Sequence, residues 1–357
     1  MTRDYPNIAV VAASMRMLGG QGVQASMLVR ALREEGYPVT FLPIDPDFPA
    51  ACAWVRRLPA ARTLLNQALY VPSLLGLRSA GVVHVFSASH MSFLISPVPA
   101  MLAARCLGKR VILNYHSGEA ESHLARAGRV TRMLLRLADE IVVPSEFLRA
   151  VFERHGYRVR VIPNVVDLSR FRFRERRPLR PRLLSTRNLE PHYGVDMTLK
   201  AFPAIRSRYP EATLTIAGTG SQDRPLRRLA RQLGPGGIRF AGRIEPKDMA
   251  RLYDEHDIFV NSSRVDNQPL SILEAFAAGT PVVSTPAGGI PVMVRDGETG
   301  LLLAQSEPEA MAEAVGSLLG NPDLARRTAL RARQEATGHT WPRVRDLWAA
   351  AYMGATS

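Results

Sequence analysis

Cysteine is nearly absent from this chain: Cys52 and Cys106 are the only two among 357 residues. They stand far apart, without the paired spacing of a metal module. A disulfide scaffold and a Cys-based zinc site are therefore excluded, and a reducing compartment fits. Long apolar runs are also missing. A membrane-spanning helix needs ~18 consecutive apolar residues, and the nearest stretch, Met91 to Gly108, is broken by Pro97 and Pro99 and carries Arg105. The opening MTRDYPNIAVVAAS has only a short apolar run before Arg16 and a pair of glycines, so it reads as a first strand rather than a signal peptide. A soluble, cytoplasmic protein made without export is expected. Neither low complexity nor disorder is present, since 46% hydrophobic and 22% charged residues is an ordinary globular composition.

Acidic residues are the minority charge: 32 against 46 basic ones, a net +14. The imbalance sits in the first half, with 24 basic and 13 acidic residues before Pro178 and 22 and 19 from there on. That half is expected to face something anionic. Nucleic acid is not the expected partner, because no nucleic-acid motif is present and aromatics do not interleave with the basic clusters.

Short apolar runs alternate with helical-period segments. Strands are expected at 8–12, 39–42, 82–86, 111–115, 141–144 and 159–162, then at 183–186, 212–217, 238–241, 258–261, 281–284 and 301–303. Expected helices include 22–35, 92–107, 129–138 and 146–155 in the first half. In the second they are 195–208, 224–233, 247–255, 270–278, 308–319 and 322–336. Continuous rather than alternating apolar strands are the mark of a parallel sheet covered on both faces. The segment RFRFRERRPLRPR at 170–182 breaks the rhythm and reads as a linker. The expected organisation is a first domain over 1–170, a linker over 171–182, a second domain over 183–338 and a closing helix over 339–357 that crosses back to the first domain. Trp341, Leu347, Trp348 and Tyr352 are expected on that helix's apolar side. Two such domains would leave a cleft, with ligands outside the carboxyl ends of the strands.

Several motifs compete for function. Gly19-Gly20-Gln21-Gly22 precedes the first expected helix, where glycines let a ligand approach and a helix N-terminus favours an anion. Gly20-x-Gly22-x-x-Ala25 with Asp45 also fits a dinucleotide fingerprint, although Ala13–Leu18 separate the glycines from the strand tip. Asp45-Pro46-Asp47 resembles a metal-holding aspartate pair but reads better as a turn. His116 closes the fourth strand within a polar cluster. The densest signal is NSSRVDNQPLSILEAFAAGTPVVSTPAGG at 261–289. There Asp266 precedes a helix that carries Glu274, and the amides near Leu270 and Ser271 open its N-terminus, where a phosphate can dock. Carboxylates suit sugar hydroxyls, since each accepts more than one hydrogen bond.

This stretch resembles the nucleotide-sugar-binding core of glycosyltransferase family 4, retaining enzymes with the two-domain GT-B fold. Asp266 and Glu274 take the places of the family's two glutamates, in a variant with Asp-Asn-x-Pro for Glu-Gly-x-Pro. The likeness runs on through Asp296-Gly297-Glu298-Thr299-Gly300, Ala217-Gly218-Thr219-Gly220, Val161-Ile162-Pro163-Asn164 and Val143-Pro144-Ser145. Arg187 matches the family's diphosphate-binding arginine, whereas the usual lysine position falls around His192-Tyr193.

The resemblance implies a metal-independent hexosyl-type transferase without a cofactor, moving a sugar from a nucleotide diphosphate sugar to a hydroxyl, with a lipid-linked glycan of surface polysaccharide biosynthesis as the expected acceptor. It implies that Arg187 neutralises the leaving diphosphate, helped by amides of Leu270 and Ser271. Glu274 would bind the ribose and Asp266 the transferred sugar. Gly218 and Gly220 would let the chain pass close to the nucleotide, and the base would be read beside Arg243. Gly19, Gly20, His116, Ser145 and Asn164 would line the opposite wall, with His116 touching the donor sugar. The stretch with Arg126, Arg129, Arg132 and Arg136 beside Met133, Leu134, Leu135 and Leu137 is expected to lie peripherally on the inner face of an anionic membrane. Rival readings are an NAD(P)-dependent oxidoreductase, a nucleotide-sugar epimerase and a non-catalytic nucleotide-sugar-binding subunit.

Overall fold

The computed structural model describes residues 5–16, 19–234 and 236–354. Among these residues, twelve strands form two six-stranded sheets. They are β1 (Ile8–Ala12), β2 (Val39–Pro43), β3 (Val82–Ser87), β4 (Arg110–Tyr115), β5 (Glu140–Val143), β6 (Arg160–Val161), β7 (Arg182–Thr186), β8 (Thr213–Ala217), β9 (Ile238–Gly242), β10 (Ile258–Asn261), β11 (Val282–Ser284) and β12 (Leu301–Leu302). All adjacent strand pairs within the sheets are parallel. β1 (IAVVA) and β3 (VVHVFS) are buried along their whole length, as strands covered on both faces must be.

By contact density the chain divides into two units, residues 1–163 with 344–357, and residues 164–343. The first carries the order β2-β1-β3-β4-β5-β6 and the second β12-β11-β10-β7-β8-β9. Each is a doubly wound sheet. In the first the winding reverses between β1 and β3, and in the second between β7 and β10, the points where such sheets receive ligands.

The second unit packs apolar side chains on both faces. One core gathers Leu183, Phe202, Leu214, Ile258 and Val283. The other gathers Leu184, Tyr253, Phe259, Phe276 and Val282. The arginine-rich segment expected as a linker belongs to this unit. Phe171 is buried in its core, and Arg176 is buried because its guanidinium donates to the carbonyls of Tyr253, His256, Ala278 and Gly279 at 2.7–2.9 Å. Asp257 lies 3.6 Å from the same group. The stretch was expected as a linker, but carbonyls of two helices and the loops after them satisfy this guanidinium inside the unit.

Other differences are local. The expected helix over 92–107 is two helices, His90–Ile95 and Pro97–Cys106, because a proline cannot continue the ladder of the preceding turn. A helix over Pro59–Ser73 was not expected. The closing helix spans Trp341–Met353 and buries Val344, Trp348, Ala351 and Tyr352. Leu347 is exposed rather than on the apolar side. Tyr352 Oη lies 2.9 Å from His84 Nδ1, and the Trp348 ring lies 4.8 Å from His84. Burial lowers His84 to about 3, so it stays neutral.

Candidate functional site

The carboxyl edge of the second sheet gathers nearly all the polar residues singled out there. Arg187 follows β7, Gly218 and Gly220 follow β8, Arg243 follows β9, and Asp266, Leu270, Ser271 and Glu274 follow β10. Strands β7 and β10 are neighbours at the reversal point. Arg187 and Asp266, 79 residues apart in sequence, therefore form an ion pair. Arg187 Nη1 also donates to Ser271 Oγ at 2.9 Å. Ser263 Oγ donates to the same Asp266 oxygen at 3.0 Å, which orients the carboxylate. Among the described residues Arg187 Nε is buried without a partner.

The helix Leu270–Ala278 begins at this point. Pro269 precedes it and no side chain caps it, so the amides of its first turn extend the positive field of Arg187. Together a guanidinium and an uncapped helix start make a corner with a locally positive field.

Tyr193 was not singled out from the sequence. Its ring lies 4.1 Å from the Arg187 guanidinium carbon. This cation–π contact helps hold the guanidinium in place. Nothing in the linear pattern distinguishes such a tyrosine from a core one.

Glu274 is held beneath this corner, and burial pushes its carboxyl up to about 7, with Tyr253 and Arg170 partly opposing the shift. Tyr253 Oη lies 2.9 Å from Thr186 Oγ1 and donates to the Ser271 carbonyl at 2.8 Å. Two glycines set the loop geometry. Gly218 has φ +148° and a methyl there would strike the Arg187 carbonyl, while one at Gly220 would strike the Leu189 carbonyl. Gly218 N donates to Gly242 O at 2.7 Å, tying the loops after β8 and β9. Arg243 is exposed on that second loop, with Nε donating to Glu245 at 2.9 Å.

The sequence placed Asn164 on the opposite wall, but it lies in the second unit. Its amide N donates to Gln268 Oε1 at 2.7 Å and its Nδ2 to Gln268 O at 3.0 Å, which fixes the loop that carries Asp266.

In the first unit, Gly19 and Gly20 follow β1, His116 follows β4 and Ser145 follows β5, all on the carboxyl edge. Gln21 Nε2 reaches Ser87 O at 3.2 Å, across the reversal between β1 and β3. Met17 and Leu18, in the stretch before these glycines, lie outside the described residues. The His116 ring stacks on Phe86 at 5.2 Å, its buried Nε2 has no partner among the described residues, and burial lowers its pKa to about 4. Ser145 caps the helix Glu146–Arg154, accepting from Leu148 N at 3.2 Å.

Asp45 is already engaged: it accepts from Ser14 N at 2.7 Å and Ser14 Oγ at 2.6 Å. Asp47 pairs with Arg16. These bonds occupy the acid that the dinucleotide reading assigns to a ribose. Among the described residues no group of three or more His, Cys, Asp or Glu could hold a metal ion, and no helix is long and apolar enough to cross a membrane.

A second feature was missed from the sequence. A cavity of about 450 Å³ opens beside the ends of β1 and β2, lined by Arg16, Asp45, Phe48, Arg62, Asn66 and Ser96 among others. Its lining comes from loops and from the unexpected helix, so no contiguous motif announces it.

Comparison with known proteins agrees with this architecture. A family described as Glycosyltransferase Family 4 matches residues 18–170, and one described as Glycosyl transferases group 1 matches residues 180–321. A glycogen synthase of Mycobacterium tuberculosis is 34% identical over 249 residues, 67% of this chain. The matched stretch spans 60% of that relative's length. A GDP-mannose-dependent alpha-(1-6)-phosphatidylinositol monomannoside mannosyltransferase of the same species is 30% identical over 274 residues, 70% of each chain. The solved sucrose-phosphate synthase of Thermosynechococcus elongatus shares the fold, with a TM-score of 0.80 over 98% of both chains at 19% identity. Two doubly wound units and these matches agree: the chain belongs to the GT-B-fold glycosyltransferases of family 4.

Proposed function

We propose that the protein is a retaining glycosyltransferase that moves a sugar from a nucleotide diphosphate sugar to a hydroxyl acceptor. The observation that carries this reading is the corner made by Arg187, Asp266, Ser271 and the uncapped start of the helix 270–278. A diphosphate is the anion that suits a guanidinium beside free helix amides. Arg187 and the amides of Leu270 and Ser271 stabilise the charge that grows on the leaving diphosphate. Glu274 accepts from ribose hydroxyls, and Asp266 from the transferred sugar. Gly218 and Gly220 admit the nucleotide, with the base beside Arg243. In the first unit Gly19, Gly20, His116 and Ser145 serve the sugar and acceptor side. A neutral His116 can accept or donate a hydrogen bond there without adding charge. The leaving phosphate takes the acceptor's proton, so positioning and charge stabilisation carry the rate. Neither a metal nor a cofactor enters this scheme.

The acceptor is read as a lipid-linked glycan of surface polysaccharide biosynthesis, reached by peripheral attachment to an anionic inner membrane face. The mannosyltransferase relative supports a lipid-borne acceptor by its name. The first unit supports it by its basic excess, and by exposed Val130 and Met133 beside exposed Arg129, Arg132 and Arg136. Leu135 of the same stretch is buried.

The test is a thermal-shift screen of nucleotide sugars followed by transfer assays with the best donor. A bound donor raises the melting temperature by mass action. No shift with any nucleotide sugar, or a shift with NAD(P) alone, overturns the reading. Epimerised donor in the absence of acceptor would point to an isomerase instead.

A further inference from the structure

The first unit carries an exposed apolar stripe, in a stretch of sequence without acids, that the proposed transfer chemistry does not use. From Phe48 to Gly118 the chain runs 71 residues without an aspartate or glutamate, while holding seven Lys or Arg. Eight of the thirteen large exposed apolar side chains among the described residues fall in this stretch. They concentrate on one element. In the helix Pro59–Ser73 and its continuation, Leu64, Ala68, Val71 and Leu75 recur at intervals of four, three and four, which is one stripe of a helix. All four are exposed, and Leu64, Val71 and Leu75 are 73%, 48% and 58% accessible. Just before the helix, Trp54 is 63% accessible. The other side of the helix is already used: Tyr70 is fully buried with its hydroxyl on Ser96 O at 2.8 Å, while Arg62 and Asn66 line the cavity of about 450 Å³.

An apolar face on an ordinary surface helix is normally interrupted by charge. This one has none on its stripe, and no acid for many residues on either side. The absence of carboxylates is what an anionic surface requires, and exposed Trp with Leu and Val is what an acyl–headgroup boundary accepts. We infer that the Leu64–Val71–Leu75 stripe, with Trp54 beside it, docks on an anionic lipid bilayer and places the neighbouring cavity at the headgroup level. The inference rests on reading the first unit as the acceptor-binding half. It is carried by a different element from the 126–136 arginines.

Sedimentation with vesicles of phosphatidylcholine, with and without phosphatidylglycerol, tests it. The wild-type chain should pellet with the anionic vesicles. Raising salt from about 0.1 to about 1 M, which shortens the screening length from about 10 to about 3 Å, should weaken that binding. Leu64→Asp with Val71→Asp should reduce binding about tenfold or more, with an unchanged melting temperature because both side chains are exposed. A milder Leu64→Ser with Val71→Ser pair covers the case in which the aspartates disturb the fold. Equal binding by the variants overturns the inference, and so does equal binding to neutral vesicles. A stable dimer that the variants dissociate, with no pelleting, also overturns it and makes a second copy the occupant. Donor-induced thermal shift, measured on the same samples, reports separately on the transferase reading.

Discussion

Arg187 is held by Asp266, Ser271 and the Tyr193 ring, and its Nε has no partner among the described residues, so its fork is oriented before any ligand arrives. Arg187→Ala should lower kcat by about 10²–10³-fold, the usual loss for one preorganised oxyanion donor. Arg187→Lys should recover only part of this, because an ammonium cannot reach Asp266 and Ser271 as a planar fork does. Steady-state kinetics with a fixed donor decides both. Glu274 gives a pH signature. Its carboxyl is raised to about 7 by burial, so below that pH it is largely protonated and accepts fewer hydrogen bonds. Donor affinity should therefore rise as pH climbs from about 6 to about 8, and Glu274→Gln should flatten the profile in titration calorimetry. Fold stability runs the other way, since ionising a buried acid whose pKa is raised loses stability as pH passes through 7. Gly218→Ala tests the backbone. With φ +148° and the Arg187 carbonyl in the path of a methyl, it should cost about 1–3 kcal/mol and displace Arg187. A crystal structure of the variant, or its donor Kd, reads this out.

At the scale of elements, the helix Trp341–Met353 is held by two aromatic anchors against a neutral histidine. Trp348→Ala should destabilise the first unit by about 3–5 kcal/mol, the ordinary loss for a buried large aromatic, measured by urea unfolding. Periodicity made this helix readable but assigned Leu347 to the wrong side, because one apolar residue outside the packed stripe of 344, 348, 351 and 352 leaves no mark in sequence. The helix Pro59–Ser73 escaped for a related reason. With leucine and valine on its outward stripe as well as its inward one, it lacks the polar face that identifies a surface helix.

Across the whole molecule, burial holds His84 at about 3 and His116 and His123 at about 4, all in the first unit. A buried neutral histidine contributes fully above its unfolded pKa of about 6.5 and loses that contribution as pH falls toward its folded value. The melting temperature should therefore drop as pH is lowered from about 6.5 to about 4. Calorimetry across that range checks it, and a flat profile would mean these rings are solvated.

All twelve strands were legible within two residues at either end, because a parallel strand covered on both faces is an apolar run that little else imitates. The corner at 261–289 was legible too, since Asp266, Ser271 and Glu274 stand close together in sequence. Tyr193, Asn164's bonds to Gln268 and the cavity beside Arg62 were not, because each joins segments that only the winding of a sheet brings together.

The first unit is discontinuous, since residues 344–357 group with it after 164–343 have intervened. During synthesis the aromatic anchors leave the ribosome only once the 180 residues of the second unit have been translated, a delay of roughly 10–40 s at bacterial or eukaryotic speeds. For that interval the pocket around His84 is open on a nascent chain, whereas the second unit, being continuous, can close as it emerges. Chaperone binding to stalled nascent chains should concentrate on the earlier-made half.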